Sequence, residues 1–236
     1  MRKLLFFLLL FIYNYVLAEN KHSDECVILL HGIGDGKVSM LKLEKAISDA
    51  GFDTYNVGYP AFGKKIEKIA EEELDIAIKN VKDYKKIHIV SHSMGGIITR
   101  YYLKYHQLPE GSRIVMLSPP NNGSEIADYF EDSKIYHLFY GDAGLQLTTD
   151  NEIFLKLPKL NYEIGVIAGN KSTNPFFSKL LPGKDDGRVA VESTYLSEMK
   201  DFVIIPTTHL FIKYNQEAAE QTIYFLKNGK FTHEKK

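Results

Sequence analysis

The chain holds one cysteine in 236 residues, Cys26, so no intramolecular disulfide can staple it. It also lacks any block of lysine or arginine. Its 29 basic residues stand against 30 acidic ones, for a formal net charge of −1. That balance excludes the basic footprint with which proteins grip a phosphate backbone, and no nucleic-acid partner is expected. No internal repeat and no low-complexity tract is present. No cluster of acidic residues demands Ca²⁺, so no metal is expected either. No apolar run reaches the roughly 20 residues that span a bilayer.

What remains is a globular composition, 44% apolar and 25% charged. The length suits one domain, since single cores grow to about 250 residues. The N-terminus is set apart. Arg2 and Lys3 precede an apolar stretch over residues 4–17, broken by Asn14, and Val16-Leu17-Ala18 ends it like a signal-peptidase site. This reads as a secretory signal over residues 1–18, ahead of a domain over 19–236. The stretch is shorter than a membrane span, and no cysteine follows the cut, so export to the periplasm or medium is expected, with an uncleaved anchor as the lesser alternative. In an oxidising compartment Cys26 has no partner, and its place at the head of an apolar strand predicts a small buried side chain.

Short apolar runs then alternate with amphipathic stretches. Strands are predicted over 26–30, 54–57, 87–90, 114–117, 164–168 and 202–205. Helices are predicted over 41–50, 64–81, 94–105 and 215–227. In 64–81 the apolar residues Ile66, Ile69, Ala70, Leu74, Ala77 and Val81 fall at helical spacing. This alternation predicts an α/β fold, a mostly parallel central sheet with helices on both faces. Such sheets carry their sites beyond the carboxyl ends of the strands.

Ser91-His92-Ser93-Met94-Gly95-Gly96 follows the third strand and opens a helix. A serine on that sharp turn projects its hydroxyl from the top of the sheet, as in G-x-S-x-G, with Ser91 standing where glycine is usual. The first strand runs into His31-Gly32-Ile33-Gly34. A developing oxyanion needs two N–H donors, and Met94 and Ile33 occupy the positions to supply them. His31 comes too early in the chain for the base and reads as a structural residue of that loop. A dinucleotide reading of Gly32-Ile33-Gly34-Asp35-Gly36 fails, because Lys37 stands where the third glycine belongs and no acidic residue ends the second strand.

A serine nucleophile needs a histidine base held by a carboxylate. His209, in Pro206-Thr207-Thr208-His209 after the last strand, is the candidate base. His137 is weaker, His106 points away near a helix end, and His233 lies in a polar tail. The acid belongs between nucleophile and base. Gly183-Lys184-Asp185-Asp186-Gly187 offers Asp186 beside glycine, with Asp185 as fallback and Asp142 as outsider.

Together with Pro119-Pro120-Asn121-Asn122-Gly123-Ser124, these motifs make residues 26–227 resemble bacterial α/β-hydrolases of the lipase and esterase group, small lipase-like serine hydrolases. The resemblance implies Ser93, Asp186 and His209 as a triad, Ile33 and Met94 as oxyanion donors, and an ester or lipid substrate cleaved without a cofactor. It also implies that the Pro-Pro-Asn-Asn-Gly-Ser loop borders the site. Asn121, Asn122 and Leu145 are the substrate-contact candidates. The aromatic-rich stretch 129–160 reads equally as a lid, an acyl-binding wall or plain core. Contact with a membrane surface is left open, and no obligate protein partner is implied. An acyltransferase with the same triad, and a non-catalytic binding protein on this fold, are the alternative readings.

Overall fold

The structure, a computed structural model, describes residues 23–233. The expected signal over 1–18 lies outside them. Six strands form one sheet: β1 (Glu25–Leu30), β2 (Asp53–Val57), β3 (Lys86–His92), β4 (Arg113–Leu117), β5 (Glu163–Gly169) and β6 (Asp201–Ile205). Their order is β2-β1-β3-β4-β5-β6, and every neighbouring pair is parallel. All six predicted strands are found, each within a few residues of its predicted ends.

Parallel neighbours need a crossover, and helices supply it. α1 (Leu41–Asp49) joins β1 to β2. α2 (66–80) joins β2 to β3 and carries a π turn at Ala70–Leu74. α3 (Met94–Tyr102) follows β3. α4 (Glu125–Phe130), α5 (Lys134–Leu145) and α6 (Glu152–Lys156) fill the long connection from β4 to β5. α7 (Pro175–Leu180), which the sequence pattern did not predict, lies between β5 and β6. α8 (Gln216–Asn228) follows β6, capped at one end by the Asn215 side chain and ended at the other by Gly229 at φ 67°.

Successive side chains of a strand face opposite ways, and β1 divides two cores accordingly. Cys26, Ile28 and Leu30 pack with Ile69, Leu74, Ile97 and Ile98 from α2 and α3. Val27 and Leu29 pack with Leu43, Ile47, Ala218 and Phe225 from α1 and α8. Helices therefore cover both faces. Cys26 is buried as expected, and burial pushes its thiol up to about 12, with Asp53 adding to the shift. A Cβ on Gly165 would lie 2.7 Å from the Phe225 ring, so the glycine on β5 makes room for the aromatic of α8. Burying that ring is worth about 3 kcal/mol.

The stretch 129–160 divides between the core and the lining of a cavity. Leu147, Ile153 and Phe154 join the core, while Phe130, Tyr136, Phe139 and Tyr140 face a cavity above the sheet. α5 kinks at Gly141 (φ 52°, ψ −150°), where a Cβ would stand 2.5 Å from Gly63 Cα.

Candidate active site

β3 delivers the chain to Ser93, which sits at φ 53°, ψ −127° between the strand and α3. A non-glycine residue there is strained by about 1–3 kcal/mol. Its neighbours hold it: Ser93 N donates to Leu117 O and Gly96 N to Ser93 O, both at 2.9 Å. The turn also needs bare backbone, since a Cβ on Gly95 would lie 2.9 Å from the carbonyl oxygens of Leu30 and His31. Ser91 is fully buried in the position usual for glycine, and the turn is intact around it.

Three side chains from distant parts of the sequence meet at this turn. His209 Nδ1–H donates to Asp186 Oδ2 at 2.8 Å. That leaves Nε2 as the acceptor for the Ser93 hydroxyl at 3.0 Å. The main chain ties the same pair again, His209 N to Asp186 O at 2.9 Å. Asp186 Oδ1 takes N–H bonds from Arg188 at 3.0 Å and Val189 at 2.8 Å. Burial alone would raise the Asp186 carboxyl. The His209 charge, its hydrogen bond, the Val189 N–H and the Ser118 hydroxyl together hold it below the usual range.

The other candidates lie elsewhere. Asp185 spends its carboxylate on Gly187 N and Ser178 Oγ. Asp142 lies 4.0 Å from Lys65 on the exposed side of α5. His106 stacks on Tyr102, and the exposed rings of His137 and His233 reach Glu131 O and Asp201.

The backbone N–H groups of Ile33 and Met94 make no hydrogen bond to another described residue. Gly32 brings the first loop against the elbow, where a Cβ would lie 3.0 Å from Ser93 Cβ. His31 braces that loop, as its position suggested. Its Nδ1–H donates to Gly32 O at 2.9 Å, its ring stacks on Tyr59 at 3.9 Å, and the Tyr59 hydroxyl bonds its carbonyl.

A second row of polar side chains, Lys213, Asp35 and His92, runs beneath His209. Lys213, 3% exposed, donates to Asp35 Oδ2 at 2.6 Å. Asp35 Oδ2 lies 3.6 Å from His92 Nδ1, just beyond hydrogen-bond reach. Burial would raise the Asp35 carboxyl, but His92 and Lys213 hold it far below the usual range. Burial holds the His92 imidazole down at about 4; Asp35 opposes that shift, and the nearby His209 and Lys213 add to it.

Ser93 and His209 open into a cavity of about 350 Å³. Its walls are mainly apolar, with Ile126, Phe130, Tyr136, Leu147 and Phe177 among them. Asn121 and Asn122 do not line it. Asn121 accepts from the buried Arg100 guanidinium and donates to Thr194 O, while Asn122 donates to Tyr195 O. Both fasten the loop after β4 to the segment near residue 194. Leu145 lines a separate groove beyond α5. Tyr59, Asp35, Lys213, Ser118 and Arg188 carried no motif signal, since each acts through a contact made by folding.

In its mature form, lipase BlEst2 of Bacillus licheniformis matches with a TM-score of 0.68 at 19% identity, over 89% of this chain and 94% of that one. Its propeptide form gives 0.74 at 18%, over 92% of this chain and 54% of that one, so this chain spans about half of that form. Phospholipase PlaB of Legionella pneumophila gives 0.69 at 18%, over 87% and 60% of the two chains. At such identities the likeness is one of fold. Residues 25–163 match the family model of the alpha/beta hydrolase fold, and the chain belongs to that family.

Proposed function

We propose that the protein is a serine hydrolase of carboxylic esters, with Ser93 as nucleophile, His209 as base and Asp186 as the acid that orients it. The observation that carries this reading is the relay from Asp186 through His209 to the Ser93 hydroxyl, at 2.8 and 3.0 Å, on the floor of an apolar cavity. In the proposed cycle His209 Nε2 takes the hydroxyl proton as Ser93 Oγ attacks the ester carbonyl. The N–H groups of Ile33 and Met94 receive the oxyanion. The tetrahedral intermediate collapses, the C–O bond breaks, and the alcohol leaves with the proton from His209. A water then gives its proton to His209 and attacks the acyl-enzyme; the bond from the carbonyl carbon to Ser93 Oγ breaks, Oγ takes the proton back from His209, and the acid leaves. Asp186 stabilises the imidazolium in both halves. Every step is carried by these side chains and backbone groups.

The apolar walls favour an acyl chain over an acetyl group. Ile135 and Phe139 line the cavity yet are 69% and 57% exposed, and Leu138 beside them is 81% exposed. An exposed apolar rim of this kind suits docking on a lipid surface. Proteins described as a lipase and a phospholipase share the fold, in keeping with an ester or lipid substrate. No helix among the described residues is long and apolar enough to cross a membrane. Export behind a signal over residues 1–18, cleaved from a domain over 19–236, completes the proposal.

A fluorophosphonate probe and p-nitrophenyl esters from two to sixteen carbons test it. Labelling and turnover that vanish in Ser93→Ala and His209→Ala support the triad, and a medium or long optimum supports the acyl-chain reading. A folded protein that neither labels nor turns over any ester refutes it.

A further inference from the structure

Three arginines fall within the described residues. Arg113 is held by Glu163 and by Leu226 O. Arg100 is held by Asn121. The guanidinium of Arg188 has neither a hydrogen bond nor an ion pair with any described residue; its one bond is made by its main-chain N–H, to Asp186 Oδ1 at 3.0 Å. The side chain is half-buried and lines the same cavity as Ser93 and His209.

The other charges on that cavity are already accounted for. Lys213 neutralises Asp35, and burial keeps His92 uncharged at neutral pH. Arg188 is thus the one formal charge lining the cavity without an ion pair among the described residues. Its field reaches the wall: burial and the neighbouring Tyr140 raise the Tyr136 phenol, and Arg188 opposes them. The same turn fixes the arginine and the acid, because Asp186 accepts the Arg188 N–H and Gly187 between them adopts φ 93°.

A half-buried guanidinium under a neutral acyl chain would lose water and gain nothing in exchange. Its planar fork instead matches the two oxygens of a carboxylate or phosphate. Resting on the serine-hydrolase reading, we propose that Arg188 anchors an anionic group, so that the substrate is an ester bearing a carboxylate or phosphate oxyanion away from the scissile bond. The anchor acts as a specificity determinant. It draws in amphiphilic anionic esters and disfavours wholly neutral ones.

Binding to the resting protein tests this without turnover. Octyl phosphate, octanoate and octanol are titrated by calorimetry into wild type, Arg188→Gln and Arg188→Lys, with thermal melts verifying that each variant folds. At least one anion binds wild type about 10-fold or more tightly than octanol, the expected worth of one charge-assisted pair. Arg188→Gln abolishes that preference and Arg188→Lys keeps part of it. The stronger of the two anions tells a phosphate from a carboxylate substrate. Equal preference in wild type and Arg188→Gln overturns the proposal. In a second arm, the ratio of kcat/KM for a p-nitrophenyl ester with a terminal carboxylate to that for the uncharged ester of equal length falls by a similar factor in Arg188→Gln. Anion binding that depends on Arg188, in a protein that resists fluorophosphonate, supports the anchor and sinks the hydrolase reading. Labelling with no Arg188-dependent preference does the reverse.

Discussion

The His92 ring supports the main chain of the histidine it packs against: its Nε2–H donates to His209 O at 3.0 Å, with the ring centroids 4.8 Å apart. His209 is therefore held from two sides, by Asp186 at its imidazole and by His92 at its carbonyl. The second support exists only while His92 stays in place beneath the site.

His92 makes the fold acid-sensitive. The unfolded chain takes up this proton near 6.5, the folded chain only near 4, because the ring is buried. Between those values the unfolded state binds more protons, so stability present at neutral pH is lost as the pH falls through 6.5 towards 4. From this group alone the loss from pH 7 to pH 5 is about 2 kcal/mol. Urea melts at both pH values check it. In His92→Asn the drop between them shrinks by about that amount, and an undiminished drop refutes the assignment.

Gly32→Ala tests the proposed oxyanion site. The added methyl would sit 3.0 Å from Ser93 Cβ and 3.1 Å from His92 Nδ1. The Ile33 loop must retreat from the elbow, which takes one donor off the developing charge. The expected result is a fall in kcat of about 10²–10³, with KM changing far less. Steady-state kinetics on one ester decide it, and wild-type kcat would place the oxyanion donor elsewhere.

Backbone strain at Ser93 predicts an inversion of the usual ranking of glycine and alanine. Ser93→Ala keeps the Cβ at φ 53°, and Ser93→Gly removes it. Both abolish labelling, but the glycine variant is expected to be the more stable by about 1 kcal/mol, strain relief outweighing the entropy of glycine. Thermal melts of the two inactive proteins compare them directly. An alanine variant that melts higher would mean that the turn is not strained.

Asn121 is a brace. Its side-chain amide accepts from the Arg100 guanidinium at 3.3 Å and donates to Thr194 O at 2.9 Å, so Asn121→Ala leaves the buried Thr194 O without that donor while Arg100 keeps its bond to the main-chain carbonyl of residue 121. The expected cost is about 1–3 kcal/mol, with the acyl-chain optimum unmoved. A shifted optimum at unchanged stability would return Asn121 to the substrate.

The four interior strands were legible because each is a short apolar run, and parallel burial on both faces leaves that mark in sequence; the edge strand β2, Asp-Thr-Tyr-Asn-Val, is only partly buried and showed mainly through its place between two helical stretches. Ser93 was legible through its turn, and His209 through its place after the last strand. Asp185 and Asp186 could not be separated by position. Only the fold shows that one turn spends Asp185 on Gly187 N and Ser178 while offering Asp186 to His209. Lys213 and Asp35 are 178 positions apart, and no local pattern pairs them. Asn121 and Asn122 were drawn towards the substrate by loop composition, which cannot tell a binding amide from a bracing one.

His209, the proposed base, stands just beyond β6, which ends the sheet and is hydrogen-bonded along one side only, to β5. An outermost strand can detach at a lower free energy than the interior ones. A local opening of β6 would withdraw His209 while β1, β3 and β4 keep Ser93, Ile33 and Met94 assembled. Under mild denaturant the protein should thus fall silent before it melts, its hydroxyl still in place and no longer ionisable.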